Sequence, residues 1–541
     1  MPQEFVPLAE HIADAVLEIS PPLAAAAGDH RFDDRLPDFS PDAVAGDVDM
    51  LRDAANALSQ VDIDALDAED SVDHATLLAL VERALFELTE VREHEWNPLE
   101  HNPGNLLYGM IHRPYAPAEE RLTALAVRLS AIPDALATAR EVLTDCPRVH
   151  LETAVGQFTG TAALIRDELP ALADQVPSLA GVVAPLAMRA RRSLAEFVGW
   201  LRERLDEAGD GRDPRLGRRM WEARLWHTLD TELAAGEVLA RAEAGMERVT
   251  AELRAAAAEL LGGGAPETDE TVRAALAQLA EERPDESTIV DLAKVTLTEA
   301  TEFVREHDLV SLVDDPCEIL EMPEFARGVG VAYCDPPGPL ESGDLPTFYS
   351  IAPAPEDWPA ERIDSFYREY NNHMLRNLTV HEAMPGHYLQ LAHSRRFRGS
   401  TRSRALGWSG PFVEGWGVYA ERLMAEEGFG GLPVRIQQLK VLLRTTLNAI
   451  LDQLVHCEDL GEAEAMSMMT GRAFQEEGEA AGKWRRALLT SAQLSTYFVG
   501  FTEVAAIAAA RPAGTTPRQW HDAMLSHGSP APRHVRTLLL G

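Results

Sequence analysis

A chain of 541 residues, 46% of them hydrophobic, has material for two or three average domains or for one large helical body with a second lobe. Its formal charge of −38 argues against nucleic acid and anionic membrane surfaces as partners, and no apolar run approaches the ~18 residues of a membrane span. The opening stretch MPQEFVPLAEHIADAVLEIS has no basic segment, so no secretory signal is expected; the scattered Cys146, Cys317, Cys334 and Cys457 fit structural thiols, and a cytoplasmic location is expected.

Apolar positions at three- and four-residue steps, with Ala, Leu, Glu and Arg dominant, predict helices over 8–19, 45–60, 65–95, 117–144, 150–170, 190–208 and 214–262. In LSAIPDALATAREVL, for example, Ile132, Leu136, Ala139 and Leu143 form one stripe. The segment 95–117 is too rich in Pro, Asn and Gly for a regular helix and reads as a long connection. LGGGAPETDE (261–270) ends one helix at its Gly run and starts another at its Thr/Asp, dividing an N-terminal helical lobe (1–262) from a second lobe (271–541). Between about 316 and 352, CEILEMP, GVGVAYC and TFYSIAP are short, β-rich and bounded by Pro and Gly, which predicts a small sheet. Helices are expected again over 361–383, 387–397, 411–427, 432–459, 461–478, 482–509 and 516–527.

The stretch LTVHEAMPGHYLQLAH (378–393) departs from the zinc-peptidase pattern H-E-x-x-H. His381 and Glu382 are in place, but the next histidine, His387, comes two residues late. Six residues along an ideal helix turn the two side chains about 120° apart, too far to share one ion. Pro385 cannot donate to the carbonyl of His381, and Gly386 permits backbone angles that other residues resist, so a break or wide turn is expected at this point. Catalytic zinc takes three protein ligands and keeps one position open. The third is expected from PFVEGWGVYAERL (411–423), where Glu414 sits among apolar neighbours that would make an unpaired carboxylate costly. A first-turn carboxylate favourable to the helix dipole is the plainer reading of Glu414.

HEAMPGHYLQ followed by VEGWGVYAE resembles the signature of the bacterial DUF885 proteins, H-E-A-x-P-G-H-x-x-Q and then E-G-W-x-x-Y-x-E, a family grouped by likeness with zincin-type metallopeptidases. The second motif is more faintly similar to the segment of thimet-oligopeptidase-like enzymes whose first glutamate is the third zinc ligand. The resemblance implies a mainly α, two-lobed, zincin-like fold with a small sheet beside the metal-site helix and a cleft between the lobes. It implies Zn²⁺ on His381, His387 and Glu414, with Glu382 as general base toward a metal-activated water and a short peptide or small amide as substrate.

Four further residues are candidates for substrate binding or for support of the ligands: Gln390, Glu421, Arg444 and His456. Arg444, Asn448, Asp452 and His456 recur every four positions along an apolar helix, so they form either a substrate contact or a buried network that fixes packing. The family tends to have a second arginine where Asn448 stands, which weakens the case for an anionic clamp. SAQLSTYFVG (491–500) resembles a family segment with Ser491 in place of the usual Pro; its Tyr497 is either an oxyanion donor or a core tyrosine. His393, His521 and His527 are expected to be structural. A zinc-dependent hydrolase of peptide or other amide bonds is the expected function. The alternatives are a non-catalytic helical binding protein with a structural metal site and a metal-dependent enzyme acting on a small non-peptide metabolite.

Overall fold

Runs of Ala, Leu, Glu and Arg at helical spacing become helices along most of the chain, and in the computed structural model they are joined by one three-stranded sheet. Residues 4–541 are described, apart from 208, 210, 323–330 and 356–357. The chain divides into two units. The first comprises Met1–Pro214, Pro337–Leu345 and Gly399–Gly407, and the second Arg215–Pro336, Pro346–Arg398 and Trp408–Gly541.

The boundary expected at 262 therefore moves to Pro214/Arg215. Helices Arg218–Leu229 and Ala235–Leu260 belong to the second unit because Trp221, Leu225, Met246 and Leu253 join one apolar core with Leu443, Leu447 and Ile450. The single helix expected over 214–262 is broken where Asp230 turns left-handed, at φ 43°.

In the first unit, the connection expected over 95–117 contains a helix, Gly104–His112. Ala118–Val142 is long and apolar enough to cross a membrane by length and composition, and its apolar run is interrupted by Arg121, Arg128 and Asp134. In this fold it buries Leu122, Leu125, Leu129, Ile132 and Leu136, and its Arg121 and Arg128 are buried with guanidinium groups donating to the carbonyls of Met110 and Leu106. The distant segment Gly399–Gly407 is held in this unit by a buried ion pair, Arg404 Nε to Asp73 Oδ1 at 2.7 Å.

In the second unit, strands β1 (Cys317–Glu321), β2 (Ala332–Asp335) and β3 (Thr347–Ile351) form the expected sheet in the order β1-β3-β2, with β1 parallel and β2 antiparallel to β3. Residues 328–330 of the expected GVGVAYC strand lie outside the described residues. The buried hydroxyls of Tyr349 on β3 and Thr379 are 3.2 Å apart, which ties the sheet to helix Asn372–Glu382. Gly431–Cys457 is buried on nearly every face, as its apolar sequence requires.

The helix expected over 482–509 is two helices, Glu477–Leu489 and Ser495–Ala509. Asp452 explains the break. Its carboxylate accepts the N–H groups of Ala492 and Ser495, the Ser495 hydroxyl and the Trp221 indole, at 2.8–3.1 Å. Ala492 is drawn into a left-handed conformation, φ 63°, that no helix continues through.

Candidate metal centre

The helix that carries His381 stops at Glu382, and a new one starts at His387. Between them the N–H of Gly386 reaches the carbonyl of Val380 at 3.0 Å, and that of Leu389 reaches Ala383 at 3.3 Å. Each bond spans six residues where a regular helix spans four, so the turn absorbs the two extra residues of the motif. The imidazoles of His381 and His387 are thereby brought to a centroid distance of 4.6 Å, nearly perpendicular at 82°. Gly386 has φ −73° and ψ −134°, outside the helical and extended regions, and a Cβ there would also lie 1.9 Å from the His381 carbonyl oxygen. Trp416 Nε1 donates to the Pro385 carbonyl at 2.8 Å and pins the turn from a neighbouring helix.

That neighbour, Gly410–Glu426, presents Glu414. Its Gly417 lies against the His381 ring, and a Cβ there would come within 2.8 Å of it. Gly415 and Gly500 let this helix meet Ser495–Ala509 backbone to backbone: a Cβ on Gly500 would sit 2.0 Å from the Pro411 carbonyl oxygen. Gly500 thus serves the packing of the two helices.

Glu414 Oε2 lies 3.4 Å from His381 Nε2 and 3.5 Å from His387 Nε2, and the three donor atoms all fall within 4.8 Å of one another. Two features test whether they suit a metal. Charge-assisted N–H···O⁻ bonds are shorter, about 2.7–2.9 Å, and Glu414 Oε2 is buried without a hydrogen bond. Donors at about 2.0–2.1 Å from a tetrahedral zinc stand about 3.3–3.4 Å apart. Spacing and donor types both fit Zn²⁺.

Glu421, two helical turns beyond Glu414, accepts from His381 Nδ1 at 2.7 Å and from the Asn377 side-chain amide. This bond fixes the tautomer that leaves His381 Nε2 facing Glu414. Burial opposes the charged form of His381, but Glu414 and Glu421 outweigh it and hold its pKa well above the ordinary value. Burial would likewise raise Glu414, yet the two histidines hold its carboxyl well below the usual range. Glu421→Ala should weaken zinc binding by ~10–100-fold, read by competition with a calibrated chelator; an unchanged affinity would show that His381 needs no orienting partner.

A cavity of about 470 Å³ opens beside these ligands, wholly within the second unit, and is lined by His381, Glu382, Glu421, Arg444 and Tyr497. Burial raises the carboxyl of Glu382, with the two imidazoles opposing and Glu414 and Glu421 adding to the rise. The Tyr497 hydroxyl accepts from Arg486 Nη2 at 3.1 Å. A guanidinium only donates, so the tyrosine's own hydrogen stays available.

Two candidates are not brought to the cavity. His456 donates from Nε2 to the carbonyls of Ala487 and Thr490, each at 3.0 Å, and its Nδ1 accepts from the Leu216 N–H. With both nitrogens occupied by backbone and its pKa lowered by burial, it braces the core and contacts no substrate. Gln390 is buried and donates to the Phe412 carbonyl at 3.4 Å, bracing the His387 helix against that of Glu414. Arg444 lines the cavity, but its guanidinium stands 3.5 Å from Glu479 and 3.8 Å from Glu369. His393 and His521 bind the carbonyls of Ser311 and Leu309, as structural histidines do.

Residues 21–539 match the family described as "Bacterial protein of unknown function (DUF885)". The chain belongs to the DUF885 family. No curated protein matches it. Two solved structures are similar to this DUF885 chain across 99% of its length. One, described as "a putative lipoprotein of unknown function from Shewanella oneidensis", shares 26% identity over 100% of that chain with a TM-score of 0.82. The other, "the putative lipoprotein from Colwellia psychrerythraea", is 18% identical over 99% of that chain, with a TM-score of 0.79, and speaks for the fold alone. The cytoplasmic location expected for the DUF885 chain is corrected by the lipoprotein description of the Shewanella structure and is withdrawn.

Sequence reasoning missed Asn377, Gly417, Lys483 and Arg486. The glycine has a visible signal, its place one turn before Glu421 in E-G-W-G, whereas Lys483 and Arg486 have none beyond a shared helix face.

Proposed function

We propose that this chain is a zinc-dependent hydrolase of peptide or other amide bonds, zincin-like in its chemistry. The observation that carries the reading is the placement of Glu414 at 3.4 and 3.5 Å from two imidazole nitrogens, with Glu382 facing the same cavity. A structural site has no use for a spare carboxylate beside its ligands, whereas a hydrolase needs one. The cavity volume suits a short peptide or a small amide.

His381, His387 and Glu414 would hold the ion, which supplies Lewis acidity and makes water nucleophilic at neutral pH. Glu382 accepts a proton as the water oxygen bonds to the substrate carbonyl carbon. It then delivers that proton to the amide nitrogen as the C–N bond breaks, leaving a carboxylic acid and an amine. Tyr497 donates to the oxygen on which charge develops, and the Arg486 guanidinium against its hydroxyl strengthens that donation. Glu421 and Asn377 keep His381 in one orientation throughout.

Purified protein should contain about one zinc per chain and should cleave members of a library of peptides and acylated amino acids, with the activity lost on chelation and restored by zinc. Cleavage that persists in metal-free protein would overturn the reading. Tyr497→Phe should lower kcat by ~10²–10³ with zinc content unchanged. A tyrosine serving only the core would instead lose ~1 kcal/mol of stability with turnover intact, so kcat and the unfolding midpoint measured on one variant decide its role.

A further inference from the structure

The cavity wall opposite in character to the carboxylates is the helix Glu477–Leu489, which turns Lys483 and Arg486 into the same space as His381 and Glu382. The two cations are three residues apart and share a helix face, an arrangement of like charges that disfavours the helix. Lys483 is 9% exposed. Neither cation has an ion pair with a carboxylate among the described residues. Among the described residues, the hydrogen bonds of Arg486 go to neutral acceptors, Gln493 Oε1 at 2.8 Å and the Tyr497 hydroxyl at 3.1 Å.

Three of the acids that line the cavity hold other partners. Glu479, one turn before Lys483, gives Oε1 to Arg444 at 3.5 Å and Oε2 to the Tyr370 hydroxyl at 3.0 Å. Glu369 takes Lys440 at 2.7 Å, and Glu421 takes His381 and Asn377. A buried and a half-buried cation with no carboxylate in direct contact among the described residues are costly, and a ligand that brings an anion to them supplies that contact. Burial and the neighbouring Arg486 pull Lys483 down to about 7 although Glu479 opposes them, and an anion at the ammonium would offset that pull.

We infer that Lys483 and Arg486 form a subsite for a substrate carboxylate, so that the preferred substrates carry an anionic group close to the amide bond that is cut. The inference rests on the hydrolase reading and names its substrate class. Because Arg486 also touches Tyr497, the carboxylate is bound next to the group placed to face the reacting carbonyl. A free C-terminus and an acidic side chain offer the same chemistry, and the probes separate them.

The test is calorimetric binding to zinc-loaded Glu382→Gln protein, which needs no turnover. The probes are N-acetyl-trialanine, its C-terminal amide, and N-acetyl-Ala-Glu-Ala amide. At least one carboxylate-bearing probe should bind roughly ten- to a hundredfold more tightly than the trialanine amide, and the preferred probe identifies the source of the carboxylate. In Lys483→Met with Arg486→Gln the preference should vanish, binding of the amide should persist, and the unfolding midpoint should not fall. Lys483→Met alone should lose part of the preference and serves if the double variant does not fold. Equal binding of all three probes, no binding of any, or a preference that survives both substitutions overturns the subsite. A cation-dependent preference in a wild-type protein that cleaves nothing would remove the hydrolase reading and leave the subsite standing. Cleavage without any carboxylate preference would do the reverse.

Discussion

Replacing His387 with alanine should leave a folded protein that no longer retains zinc at concentrations that saturate the wild type. The loss should exceed the ~10–100-fold that removing an outer partner of a metal ligand costs, because a donor itself is gone and Glu414 is left with one imidazole. Folding should survive. Among the described residues the His387 ring makes no hydrogen bond, its Nδ1 being buried without a partner, so the substitution breaks none of those in the described core. Zinc per chain by elemental analysis after dialysis, together with the far-ultraviolet spectrum, reads both quantities. Retention of full zinc affinity in His387→Ala would mean that the wide turn at Pro385–Gly386 serves packing and not chelation, and the shared-ion site would fall. The same measurement on Glu414→Ala separates a three-donor site from a pair of histidines.

Glu382→Gln should abolish hydrolysis while keeping both fold and metal. The amide fills the same volume but cannot take up the proton that the attacking water must lose, and general-base catalysis of this kind is worth ~10²–10⁴ in rate. Glu382 is buried beside His381 and faces the cavity, with no ion pair or hydrogen bond holding it among the described residues, so its exchange for glutamine removes chemistry and little stability. Equal zinc content, an unchanged unfolding midpoint and turnover reduced by at least a hundredfold form the expected triple result. Undiminished turnover would remove Glu382 as the base and return the field to other metal-dependent reactions.

The most legible part of the site is the part whose causes lie within a few residues. Pro385 four positions after His381 requires an interruption, and the helix indeed ends at Glu382 and restarts at His387. Even there, a second demand on Gly386, the carbonyl within 1.9 Å of its missing Cβ, comes from a neighbour that only the folded turn supplies. Breaks caused at long range were invisible. The helix expected over 482–509 divides because Asp452, forty residues earlier, gathers the N–H groups of Ala492 and Ser495. The stripe of Arg444, Asn448, Asp452 and His456 looked like one functional face, and it separates into a cavity-lining arginine and a core brace, since the partners of each come from different helices.

The sequence by itself determined the donor types, the mainly helical character, the small sheet before the His381 helix and the wide turn that brings two histidines together. These follow from side-chain chemistry and from neighbours no more than six positions away. Tertiary structure alone decided that Glu414 stands 3.4 and 3.5 Å from both imidazoles, that Glu421 orients His381 and that His456 is sealed into the core. It alone decided that Lys483 and Arg486 face the cavity with no ion pair to a carboxylate among the described residues. A charge's partner is whatever packing places within a few ångströms of it. For buried groups that partner comes from another helix, at a separation along the chain that no local pattern encodes.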